Sequence, residues 1–162
     1  MFLALNALMG VALAAMPDDL AGRWSLDLGA SESVDALLEA AGASWMERVA
    51  AGNVSVTQQM RVDGGALLID VHSALMDSQE RLPLDGSVQR RTNRKGQPME
   101  VRTTVEGATV VTRSRITEAD GSISVLEIVR VVEPSGAVMR QTVRYTPAGE
   151  APLEADRIFR RQ

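Results

Sequence analysis

The sequence predicts an all-β protein: a ten-stranded antiparallel up-and-down barrel with a helix-turn-helix lid between strands 1 and 2. Three observations predict it. A short alternating stretch opens at Gly22, two short helical patterns separated by Gly42 follow it, and from Asn53 to the end strand-length runs alternate with turn signals. Consecutive hairpins in this number favour closure, because an open sheet of ten strands would leave exposed edges.

Taken in order, Arg23 to Leu28 alternates polar and apolar residues, so that Trp24, Leu26 and Leu28 share one face of a half-buried strand. Ser31-Glu32-Ser33 then supplies helix-start residues, with Val34, Leu37, Leu38 and Ala41 at helical spacing and Gly42 placed to end the helix. Ser44 and Glu47 form a capping-box pair at the head of a second helix, which carries Trp45, Met46 and Val49 before Gly52. Both helices are too short to be stable alone and need an apolar surface to rest on. Beyond them, Asp63-Gly64-Gly65, Asp85-Gly86, Lys95-Gly96, Glu106-Gly107, Asp120-Gly121, Ser135-Gly136 and Pro147-Ala148-Gly149 mark turns. They delimit strands at 54–62, 66–75, 79–84, 87–92, 99–105, 109–117, 123–132, 137–146 and 153–160. The join at Met76-Asp77-Ser78 carries no glycine.

At 162 residues the chain is long enough for one domain with a real core. Residues 1–15 form an apolar run ending near Ala12-Leu13-Ala14, a small-x-small pattern that reads as a signal peptide, although no basic residue precedes it. The run is too short to span a bilayer, so no stable membrane insertion is expected. Export to the periplasm or the exterior follows from this reading. A translation start at Met16 would instead leave a cytoplasmic domain, and either way residues 16–162 make the barrel.

Composition narrows the function. Aromatics are 3% of the chain and the formal net charge is -4, which excludes both a stacking platform and a phosphate-binding surface, so no nucleic-acid partner is expected. There is no cysteine, and His72 is the single histidine, which leaves no metal site, no cofactor and no triad. No Gly-x-Ser-x-Gly elbow occurs either, so the expectation is a protein that is not an enzyme. All but Lys95 of the 17 basic residues are arginine. Arg113 and Arg115, like the cluster Arg90, Arg91, Arg94 and Lys95, read as solvated surface.

Three stretches carry a family resemblance. LAGRWSLDLGASESVDALLEAAGASW at the front, LEIVRVVEPSGAVM, and EADRIFRRQ at the back together resemble the intracellular lipid-binding proteins, the fatty-acid-binding protein family within the calycins (lipocalin-like proteins). The resemblance implies the flattened barrel known as a β-clam, acting as a monomeric carrier. It implies a cavity in which buried arginines hold a small hydrophobic anion such as a fatty acid. The ligand residues it implies are Arg130, Arg157 and Phe159, with Arg140 added if the register after Gly136 follows the family's. Val34, Leu37, Leu38 and Met46 would form the lid and portal. Phe159 departs from the family, which has a tyrosine there; the missing hydroxyl removes a donor worth about 0.5–1.5 kcal/mol.

The residues themselves say somewhat less. Arg130 shares a face with Ser124, Leu126, Ile128 and Val132, but the opposite face of that strand is also rather apolar, and pattern does not choose between them. Leu153, Ala155, Arg157 and Phe159 form the more apolar face of the last strand, which turns Arg157 inward. A buried arginine needs a partner, which is either a ligand anion or a protein group such as Glu127 or Asp70. The alternative to a carrier is a calycin-like structural or interaction module whose barrel is filled by its own side chains.

Overall fold

The computed structural model describes residues 17–162, so the apolar run at residues 1–15, with the signal-peptide reading it carries, lies outside the described residues. The strands are β1 (Gly22–Leu26), β2 (Val56–Asp63), β3 (Ala66–Ser73), β4 (Asp77–Pro83), β5 (Gln89–Thr92), β6 (Pro98–Glu106), β7 (Thr109–Thr117), β8 (Ile123–Val132), β9 (Val138–Thr146) and β10 (Leu153–Arg161). Helices α1 (Asp35–Ala40) and α2 (Trp45–Asn53) lie between β1 and β2, and a 3-10 turn, Pro17–Leu20, precedes β1.

All ten strands form one antiparallel sheet in the order β4-β3-β2-β1-β10-β9-β8-β7-β6-β5. This is the expected meander, with β1 paired to β10. Its ladder stays open between β4 and β5. There the chain turns through Asp85 to Val88, and β5 is only four residues long. A side chain bridges the seam instead: Arg91 Nη2 donates to the Arg81 carbonyl at 2.7 Å.

Turn chemistry sets the registers. Asp63 pairs with Ala66 across a two-residue loop whose glycines both have positive φ, 55° at Gly64 and 72° at Gly65, the geometry that matches strand twist in a tight hairpin. The join without a glycine, between β3 and β4, is held by Ser73, whose hydroxyl accepts from the Met76 amide at 3.1 Å and donates to its carbonyl at 2.9 Å.

The interior divides into two apolar clusters. The larger, at the base, holds Trp24, Met60, Leu67, Ile69, Leu82, Val101, Val110, Met139 and Phe159, all essentially buried. Trp24 is fully buried, and its indole N–H donates to the Leu20 carbonyl at 2.8 Å, so its one polar atom is satisfied. The smaller cluster lies under the lid and joins Leu37 to Tyr145 and Ala155, with Val34, Ile116, Leu126, Val143 and Leu153 around it.

Candidate functional site

Between the two clusters runs a belt of buried polar side chains. Arg130 on β8 stands opposite Gln141 on β9, and Gln141 stands opposite Arg157 on β10. Period-2 geometry therefore puts all three on the same face, and their burial identifies it as the inner one. Gln58, Thr103, Thr112, Ser114 and Ser124 complete the buried polar set.

Arg130 is 4% exposed, and its contacts are sparse. Nη1 lies 3.5 Å from the Thr112 hydroxyl, itself 3.1 Å from the hydroxyl of Thr103, while Nε has no partner. Burial pushes this guanidinium down to about 10, against the opposing pull of the Glu80 carboxylate. Glu80 stands beside Ile69, which in turn is opposite Met60, so its side chain lies on the inner-facing row. Arg157 is more firmly held: its Nη1 donates to the Glu32 carbonyl at 2.8 Å, tying the approach to α1 onto the barrel wall. Its pKa too is lowered by burial.

The other expected site residues fall in different places. Phe159 is 3% exposed and packs in the base cluster. Arg140 does not face the interior. It lies on the outer face of β9, where it pairs with Asp156 at 2.5 Å and with Glu133 at 3.7 Å. Alternation explains it: Met139 and Gln141, its neighbours, are the buried residues, so Arg140 points the other way. Glu127, weighed as a partner for a buried arginine, is also outside, taken by Arg113 at 2.5 Å and Arg144 at 3.7 Å. Exposed His72 meets Asp77 at 3.2 Å.

The lid is partly as expected. Leu37 is buried and Val34 and Leu38 are half-buried, so α1 rests on the barrel. Met46, however, is 74% exposed and Trp45 68% exposed, so neither covers the mouth. The cause is Arg48, which pairs with Asp35 at 3.1 Å and Glu39 at 2.7 Å on α1 and so turns the apolar residues of α2 outward. On the other side of the lid, Lys95 donates to the Ala41 carbonyl at the end of α1. Beside that contact a cleft of about 820 Å³ opens at the rim, lined by Ala41, Lys95 and Pro147 and reaching Ile116, Ser124 and Tyr145. Ser124 and Arg130 share the inner face of β8 six residues apart, which places the arginine about 20 Å below the rim.

Sequence reasoning missed Gln58, Thr112, Gln141 and the Glu32 carbonyl. The two glutamines did leave a signal, since each is a polar residue at an inner position of an alternating strand: Val56, Gln58, Met60 and Met139, Gln141, Val143.

No family model and no curated protein matches the sequence. Solved structures do match it in shape. Caenorhabditis elegans lipid binding protein 8 superposes with a TM-score of 0.72 at 17% identity, over 93% of this chain and 100% of that one. A Schistosoma mansoni fatty acid binding protein, in complex with arachidonic acid, gives 0.69 at 19% identity over 89% and 96%. Echinococcus granulosus fatty-acid-binding protein 1 gives 0.68 at 20% identity over 88% and 97%. With its meander of ten strands, open between β4 and β5 and covered by two helices, this chain has the fold of the fatty-acid-binding proteins.

Proposed function

We propose that the protein is a non-enzymatic, monomeric carrier that holds a small hydrophobic anion, such as a fatty acid, inside the barrel. The observation that carries this reading is Arg130, a buried guanidinium whose Nε lacks any partner. A cation kept in the interior without a carboxylate in contact is costly to the fold, and an anion arriving from outside relieves that cost. Arg157 stands in the same row, one strand beyond Gln141, and adds positive charge on the same side. The apolar residues under the lid, Leu37, Leu126 and Tyr145, give a hydrocarbon tail its surroundings. The fold likeness to carriers of fatty acids supports the reading at the level of architecture.

A fluorescent fatty-acid analogue titrated into lipid-stripped protein tests it. Saturable binding at micromolar concentration, displaced by unlabelled fatty acid, is expected; its absence would sink the proposal. The second reading, an interaction module with a filled barrel, draws on the tight base cluster around Trp24, Met60 and Leu67. It predicts no displaceable ligand in the same titration.

A further inference from the structure

Two residues that neighbour one glutamine of the polar belt carry complementary unpaired atoms. Gln141 is the cross-strand neighbour of Arg130, and its Oε1 accepts a hydrogen bond from Gln58 Nε2 at 3.4 Å across the barrel. Of these two neighbours, Arg130 has in Nε a buried donor with nothing to donate to, and Gln58 has in Oε1 a buried acceptor with no donor. Both side chains are more than nine-tenths buried, Arg130 at 4% and Gln58 at 6% exposure. Buried polar groups are paired in the great majority of cases, so two such atoms on neighbours of one glutamine describe the chemistry of what fits there.

A plain carboxylate meets only half of that requirement. It accepts from Arg130, but once ionised it has no hydrogen to give, and Gln58 Oε1 stays unsatisfied. A hydroxyl close to the carboxylate supplies the missing donor, and its own oxygen is free to accept from a belt group such as the Thr103–Thr112 hydroxyl pair, 3.1 Å apart. Because Arg130 is the cross-strand neighbour of Gln141 and Gln58 is hydrogen-bonded to it, the hydroxyl has to sit within a few bonds of the acid. The apolar cluster under the lid then takes the rest of the chain.

We propose that the preferred ligand is a hydroxylated long-chain acid, its carboxylate on Arg130 and an α- or β-hydroxyl donating to Gln58 Oε1. This rests on the carrier function proposed above and specifies its ligand class.

Isothermal titration of the full-length, lipid-stripped protein with five ligands tests this: hexadecanoic acid, its α-hydroxy and β-hydroxy derivatives, and the corresponding methoxy acids as a matched pair lacking the donor. One hydroxy acid is expected to bind about tenfold tighter than hexadecanoic acid, the gain expected of a buried hydrogen bond that also satisfies an unpaired acceptor, and its methyl ether is expected to lose that gain. In Gln58→Leu the ratio between hydroxy and plain acid should collapse to about one. Equal affinity for the plain and both hydroxy acids, an ether as tight as its alcohol, or an unchanged ratio in Gln58→Leu would each overturn the proposal while leaving the carrier function standing. Should none of the acids bind, both readings fall. The ether comparison is made on the unaltered protein, so the proposal stays testable even if Gln58→Leu does not fold.

Discussion

The guanidinium of Arg161 lies 4.2 Å from the centroid of the Trp24 ring, covering it at the base of the barrel. The same side chain donates to the carbonyls of Gly136 at 2.6 Å, Ala21 at 2.7 Å and Asp19 at 2.7 Å, so it ties the first and last strands and a hairpin turn together. An exposed cation–π contact contributes about 0.5–1 kcal/mol and each net hydrogen bond a similar amount. Arg161→Gln is therefore expected to cost about 1–2 kcal/mol, read as a lower urea midpoint with an unchanged slope. Ligand affinity should not move, because the site lies above the Trp24 layer. An unaltered midpoint would show that the contacts around Arg161 add nothing to stability.

In the proposed carrier, Arg130 sets binding against stability. Replacing a poorly paired buried charge with an apolar side chain of similar length is often stabilising, by roughly 1–4 kcal/mol. Arg130→Met is expected to raise the urea midpoint of the ligand-free protein and to abolish fatty-acid binding. The pH dependence has a definite sign. Burial pushes this guanidinium from its ordinary value down to about 10, so in the window above pH 10 the unfolded chain holds more protons than the folded one. Wild-type stability gains from rising pH in that window, and the advantage of Arg130→Met should shrink there. A variant less stable than wild type at neutral pH would mean that Arg130 is a structural residue with adequate partners.

Most of the architecture was legible because turns and alternation are local. Every glycine named from the sequence as a turn signal lies between strands with a positive φ, although Gly86 links the unpaired β4 and β5 and closes no hairpin, and the capping box at Ser44 and Glu47 is present. What the pattern could not supply was sidedness where both faces are apolar, as on β8, or where a register passes through a longer turn, as before Arg140. There the neighbouring strands decide. The orientation of α2 was illegible for another reason: Trp45, Met46 and Val49 look like a packing face, but the ion pairs of Arg48 with α1 fix the helix the other way round. Partners such as the Glu32 carbonyl for Arg157 leave no trace in composition, because any residue provides a carbonyl.

Asp156 predicts an acid-sensitive edge on the outer surface. A hydrogen bond from Thr142 at 2.6 Å, together with the Arg140 guanidinium, holds its carboxyl below the usual carboxylate range. For a carboxylate depressed in the folded state, the stabilisation is present above the unfolded value near 4 and is lost as pH falls through the folded one. Wild-type stability should thus decline below about pH 4. Asp156→Asn should be less stable at neutral pH and show a shallower decline in acid, measured by urea denaturation at a series of pH values. Parallel curves for the two proteins would mean that the carboxylate is not linked to folding.

Helix α2 is the element best placed to act as a gate, because nothing on it is buried. Its amide ends are held by the capping box, Ser44 Oγ accepting from the Glu47 amide at 3.3 Å and the Glu47 carboxylate accepting from the Ser44 amide at 2.7 Å. Removing that cap costs a helix about 1 kcal/mol. In a helix with no buried side chain the cost falls on local opening and not on the global unfolding transition. Ser44→Ala is expected to speed hydrogen exchange of the α2 amides about fivefold, the equivalent of that energy, while the β-sheet amides and the urea midpoint stay where they are. If ligand enters and leaves past this helix, stopped-flow association and dissociation rates should rise together by a similar factor and Kd should hold within about twofold. Faster exchange with unchanged ligand rates would place the route elsewhere, at the rim cleft beside Lys95 and Ala41.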